Sequence, residues 1–130
     1  MEPFPWNAKF AIGVELVDLQ HRYFLDLINR VWDGFSLSED EVYQRRLIQE
    51  LRKYAEFHFL SEENLAYSLG LPHLSLHHER HMELLGELDR RTEAVLREGA
   101  DAEEFFMFLI SWFSGHTYYE DRILFAVRET

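Results

Sequence analysis

Apolar residues recur at three- and four-residue spacing along nearly the whole chain, the pattern of helices with one buried face. A first run extends from about Leu16 to Phe35, with Phe24, Ile28, Val31 and Phe35 in register. It breaks at Gly34-Phe35-Ser36-Leu37, and Ser38 followed by Glu41 reads as a capping box that opens the second run. That run carries Leu47, Leu51, Tyr54, Leu65 and Leu69 and stops at Gly70, with Pro72 preventing continuation. A third, from about Leu74 to Leu96, places Leu84, Leu88 and Val95 in register and ends near Gly99. Asp101 with Glu104 caps the fourth, which carries Phe105, Leu109, Trp112, Ile123 and Val127. The spacing predicts helices over about 15–36, 39–69, 74–97 and 102–127, preceded by an extended N-terminal arm over 1–14. No strand pattern competes. The expected fold is all-α, an up-down-up-down four-helix bundle forming one domain over residues 1–130.

Composition narrows the function. The 130 residues are 47% hydrophobic and 15% aromatic, with six Gly and three Pro, which excludes a disordered chain. Cysteine is absent, which removes thiolate nucleophiles, Cys-ligated zinc and iron–sulfur clusters, and fits a cytoplasmic location. The net charge of −11 opposes binding to nucleic acid or to anionic lipid. The longest apolar run, Phe105 to Ile110, is far short of the ~20 residues needed to span a bilayer. A monomer without nucleic-acid or membrane partners is expected.

The candidate chemistry lies where the apolar stripes are interrupted. His21 continues the stripe of Phe24, Ile28 and Val31. The second helix reads Leu47, Leu51, Tyr54, His58, Glu62, Leu65, Leu69; the third, Leu74, His77, His81, Leu84, Leu88; the fourth, Phe105, Leu109, Trp112, His116, Tyr119, Ile123. A lone histidine on such a stripe is usually a hydrogen-bonded core residue. Here every helix points an imidazole inward, and the second adds a carboxylate, whose unpaired burial would cost several kcal/mol. Arg45, Arg46, Arg52, Lys53, Arg90 and Arg97 lie mostly off the stripes, so a metal is the simplest neutraliser. His58/Glu62 and His77/His81 are i, i+4 pairs able to chelate one centre. Five inward histidines and a carboxylate exceed the four ligands of a zinc site and suit two adjacent iron or manganese ions. Few carboxylates favour reversible ligand binding over oxidative chemistry. His73 and His78 fall off the stripes and read as surface or boundary residues.

His21, His58-Phe59-Leu60-Ser61-Glu62-Glu63, His77-x-x-x-His81 and Trp112-Phe113-Ser114-Gly115-His116-x-x-x-x-Asp121 together resemble the hemerythrin signature, and Trp6, Gly13-Val14 and Asp18-Leu19-Gln20-His21 resemble the opening of bacterial hemerythrins. The resemblance implies a non-haem protein that binds dioxygen at two iron ions (Fe2+/Fe3+) bridged by an oxo or hydroxo group. It assigns His77, His81 and His116 to one iron, His21 and His58 to the other, and Glu62 and Asp121 to bridging positions. Asp121 rests on the resemblance alone, because in an α-helix it stands about 140° from His116. Trp112, Phe113 and Thr117 would line the dioxygen site. Phe113 and Thr117 depart from the family's usual Leu and Ile, and a Thr117 hydroxyl there would bond a ligand or admit water. Asp18 and Gln20 are candidates to support His21 from behind.

The resemblance implies carriage, storage, delivery or sensing of dioxygen rather than an enzyme, with weak peroxidase-type activity compatible. The alternatives are a di-iron redox enzyme acting on peroxide or nitric oxide, and an input domain fused to, or partnered with, a signalling protein. In the latter, the arm or the final Arg128-Glu129-Thr130 would transmit the change. A metal-free interaction bundle is the blandest reading, and the buried His/Glu inventory argues against it.

Overall fold

The computed structural model describes residues 3–126, with Tyr118 and Tyr119 described by backbone alone. The described residues form helices and no strands. A 3-10 turn, Ala8–Phe10, precedes α1 (Glu15–Leu37), α2 (Glu41–Ser68), α3 (Leu74–Arg97) and α4 (Ala102–Ser114). A π-helical segment, Gly115–Asp121, then continues α4 into α5 (Arg122–Ala126), so these three pieces make the fourth rod of the bundle. Short connections make sequential helices antiparallel neighbours, and α4 packs back on α1 to close the ring. The expected end of the fourth helix, with Val127, and the transmitting tail at 128–130 lie outside the described residues.

The stripes meet along the bundle axis. Phe24, Ile28, Leu51, Leu84, Leu88 and Leu109 are all buried in one cluster, each worth about 1.5–3 kcal/mol on removal from water. Gly34 admits the second helix closely, since a Cβ there would collide with the Leu47 side chain. At the end of α2, Gly70 takes a left-handed φ of 67°, and the Leu71 amide reaches back to the Ala66 carbonyl at 3.0 Å.

Three local readings are corrected. The cap of α2 is Asp40, whose carboxylate accepts from the amides of Val42 and Tyr43. Ser38 instead accepts from Asp40 N at 3.1 Å, a local turn outside the helix. Asp101 makes no side-chain cap bond to α4. Ile123 is 69% exposed, and Leu124 and Phe125 are buried in its place. The wide π turn is the physical reason: it changes the residues per turn, so the stripe that emerges from it has slipped past the α-helical register.

The arm is held against the bundle. Asn29 accepts from Phe4 N at 2.7 Å and donates to Phe4 O at 2.9 Å. The Asp18 carboxylate accepts from Ile12 N and Gly13 N at 2.7 and 3.1 Å. Phe10 is fully buried, its ring 5.1 Å from that of Phe113. No helix among the described residues is long and apolar enough to cross a membrane.

Candidate metal centre

Inside the bundle, one level of the core is polar. His21, His58, Glu62, His81, His116 and Asp121 are all buried. They form two four-residue groups that share both carboxylates: His21, His58, Glu62 and Asp121, and Glu62, His81, His116 and Asp121. Each carboxylate turns one oxygen to each group. Glu62 Oε2 faces His21 Nε2 at 3.8 Å and His58 Nε2 at 3.5 Å, and Glu62 Oε1 faces His81 Nε2 at 3.3 Å and His116 Nε2 at 3.1 Å. Asp121 Oδ2 lies 2.9 Å from His21 Nε2, and Oδ1 lies 2.9 Å from His116 Nε2.

Helix geometry brings the α2 pair together, because residues four apart share a face. Asp121 needs a different device. In the π-helical segment the backbone bonds run to i+5, so residues five apart come onto one side of the rod. His116 and Asp121 are five apart and both lie in Gly115–Asp121. The wide turn therefore supplies the alignment that an α-helix denies them.

Every imidazole is also held from behind through Nδ1, which leaves Nε2 facing inward. His21 Nδ1–H donates to the Phe10 carbonyl at 3.0 Å, and His58 Nδ1–H donates to Gln20 Oε1 at 2.7 Å. The Gln20 amide is itself fixed by donating to Ser61 Oγ at 2.9 Å. His81 Nδ1–H donates to Glu63 Oε2 at 2.7 Å, and His116 Nδ1–H makes a longer contact, 3.4 Å, with Glu120 Oε2. With Nδ1–H so held, Nε2 is the atom each ring can offer to a metal once any proton on it has left, the arrangement that turns imidazoles into oriented ligands.

The metal-free charge balance is kept by protons. Burial disfavours a charged His21, but the Asp121 and Glu62 carboxylates outweigh it and raise its pKa to about 9. His116 is likewise raised against the cost of burial, by Asp121 and Glu62. Burial dominates at His58 and lowers it to about 3. Burial would raise Glu62, yet the facing histidines hold it well below the usual carboxylate range. Asp121 is raised to about 6 by burial and by the neighbouring Glu62 charge.

Three buried atoms still have no hydrogen-bond partner among the described residues, His58 Nε2, Glu62 Oε2 and His81 Nε2, and Asp121 Oδ1 has only the poorly aligned His116 contact. All four belong to the two groups and face their interior. Orphaned buried polar atoms are rare and call for an explanation. Four imidazole nitrogens and two carboxylates are a donor set that suits borderline metal ions. The residues fit such ions.

His77 stands apart. It is half-buried and belongs to neither group, although burial and the nearby His81 and His116 charges lower its pKa. His73 and His78 are exposed. Of the two residues expected to support His21, Gln20 holds His58 and Asp18 holds the arm. Glu63, Glu120 and the Phe10 carbonyl were not anticipated. Glu120 carries a spacing signal, i+4 from His116, and Glu63 stands next to Glu62 in the second-helix motif.

Next to the centre, Phe24, Phe59, Trp112, Phe113, His116 and Thr117 line a narrow apolar crevice. It is too narrow for a water-sized sphere. Trp112 turns its Nε1–H away, to the Leu84 carbonyl at 3.0 Å. The Thr117 hydroxyl donates to the Phe113 carbonyl at 2.9 Å, so its proton is already committed within the helix.

The chain matches the Hemerythrin HHE cation binding domain over residues 12–127. It is 28% identical over 127 residues to bacteriohemerythrin from Clostridium acetobutylicum, covering 92% of this chain and 96% of that protein. It is 26% identical over 121 residues to bacteriohemerythrin from Stenotrophomonas maltophilia, covering 90% and 76%. Among solved structures, a leucine-to-tyrosine variant of hemerythrin superposes with a TM-score of 0.83 at 21% identity over the whole of both chains. Wild-type hemerythrin gives 0.79 at 22% identity, covering 92% and 93%.

Proposed function

Since the chain belongs to the hemerythrin family, we propose that its metal centre is a pair of iron ions and that the protein binds dioxygen reversibly. One observation supports this above the rest: each of the two buried carboxylates divides its oxygens between two histidine pairs. That arrangement suits two ions sharing bridges better than any single ion.

In this reading His21 and His58 hold one iron and His81 and His116 the other, with Glu62 and Asp121 common to both. His77 completes the His81/His116 position. Its half-buried place near His81 and His116 supports the role. The iron pair, with a solvent-derived bridge, would supply reversible dioxygen binding. The chain's own residues supply the rest: oriented imidazoles, a dry enclosure and neutralisation of the ionic charge. Trp112, Phe113 and Thr117 line the apolar crevice beside the centre, which must widen to admit a diatomic ligand. The cysteine-free sequence suits the cytoplasm.

A second reading, as the input domain of a signalling system, has its own observation. The arm touches the centre through the Phe10 carbonyl on His21, and touches the rod after Asp121 through Arg122, which donates to Lys9 O and Ala11 O at 3.0 and 3.1 Å. A change at the centre therefore has a short covalent and hydrogen-bonded route to the arm.

The experiment is anaerobic loading with ferrous iron, a metal count, and a visible spectrum before and after air. Two irons per chain, with a new visible band that fades when dioxygen is removed, is the expected result. Irreversible bleaching to a ferric spectrum, even on rapid mixing, would move the function to redox chemistry. Failure to take two irons would overturn the dinuclear assignment.

A further inference from the structure

The supports behind the four imidazoles are unequal, and the inequality follows the division into two metal positions. Behind His21 and His58 stand neutral acceptors, the Phe10 carbonyl and the Gln20 amide oxygen. Behind His81 and His116 stand carboxylates, Glu63 at 2.7 Å and Glu120 at 3.4 Å. A carboxylate accepting Nδ1–H raises the basicity of the ring and strengthens what Nε2 donates to a metal; a neutral carbonyl does so less.

The two carboxylates are not equally free to act. Arg80 donates its Nε–H to both oxygens of Glu120, at 2.9 and 3.0 Å, and so offsets the charge behind His116. Among the described residues no arginine or lysine pairs with Glu63. Its other oxygen accepts from Nδ1 of the exposed His78 at 2.8 Å. Glu63 is therefore the stronger lever.

We propose that the two metal positions fill in a fixed order, His81/His116 first and His21/His58 second, and that Glu63 is the positioning residue that sets this order. The inference rests on the dinuclear reading of the centre. It does not rest on His77, which would add to the same bias; the test is therefore made at Glu63, where His77 is constant.

The test uses Zn(II), which is redox-silent, added stepwise to the metal-free full chain with histidine ring nitrogens followed by 15N NMR. With one equivalent, the His81 and His116 signals are expected to move, and with the second those of His21 and His58. Glu63→Gln keeps an acceptor for the His81 Nδ1–H and removes the charge. It is expected to weaken the first zinc about tenfold and to blur the order. Gln20→Glu adds a carboxylate behind His58 and should blur the order by strengthening the second position. Helix content and unfolding midpoint of Glu63→Gln separate an electrostatic effect from a collapsed site. Simultaneous filling in the wild type, filling of His21/His58 first, or an unchanged order and affinity in a folded Glu63→Gln would each overturn the proposal. A wild-type chain that accepts a single zinc in all would instead overturn the dinuclear reading on which it stands.

Discussion

A buried histidine serves a metal only if its proton can leave, and here two imidazoles hold protons tightly. His21, raised to about 9 by Asp121 and Glu62, is protonated in the metal-free protein throughout the neutral range. His116 is raised in the same sense, whereas His58, lowered to about 3 by burial, is neutral and ready. A metal must displace these protons, so affinity rises with pH across the neutral range, about tenfold per pH unit for each proton displaced. Calorimetric zinc titrations in buffers of different ionisation enthalpy are expected to report net proton release at neutral pH. A binding enthalpy independent of buffer would refute this. The same residues show what could be read from sequence. His21, His58, Glu62, His81 and His116 were visible because a polar residue in an apolar helical stripe is costly, hence conspicuous. The carboxylates behind them were not, because Glu63 and Glu120 lie on the boundary between core and solvent, where charge is ordinary.

At the level of elements, α1 to α3 follow the periodicity that announces them, and the fourth rod does not. Periodicity assumes one number of residues per turn, and the π-helical Gly115–Asp121 changes it partway. That is why Ile123 was expected inside and lies outside, and why Asp121 could be reached only through resemblance. The junction has a visible stabiliser. A change from i+4 to i+5 bonding disturbs the pairing of carbonyls in the preceding turn, and the Thr117 hydroxyl donates to one of them, that of Phe113. Thr117→Val removes this bond with little change of shape and is expected to cost about 1 kcal/mol. Amide exchange should accelerate in residues 115–121 and stay unchanged in α2. Thr117→Ser, which keeps the hydroxyl, should restore the protection. Equal exchange in the valine variant would show that the π segment is held by packing alone.

On the scale of the whole molecule, the arm is part of the site rather than an appendage. Its sequence promised only an extended lead-in, because a segment without helical period gives no hint of where it docks. In the structure Phe10 fills the core against Phe113, and its carbonyl orients His21, while Arg22 stacks on Trp6 with its guanidinium carbon 4.6 Å from the ring centre. These contacts tie the arm to α1 and α4, and Arg122 ties it to α5. Phe10→Ala should cost about 3–5 kcal/mol, the usual loss for a fully buried phenylalanine, read as a lower denaturant midpoint of the metal-free chain. Removing residues 1–12 tests the arm's part in the site. His21 would lose its Nδ1 acceptor while His81 and His116 keep theirs, so zinc should bind about tenfold more weakly at the His21/His58 position. Affinity at the other position should hold. Equal weakening of both would mean that the arm supports the bundle as a whole, and unchanged binding at both would mean that water replaces the Phe10 carbonyl without loss.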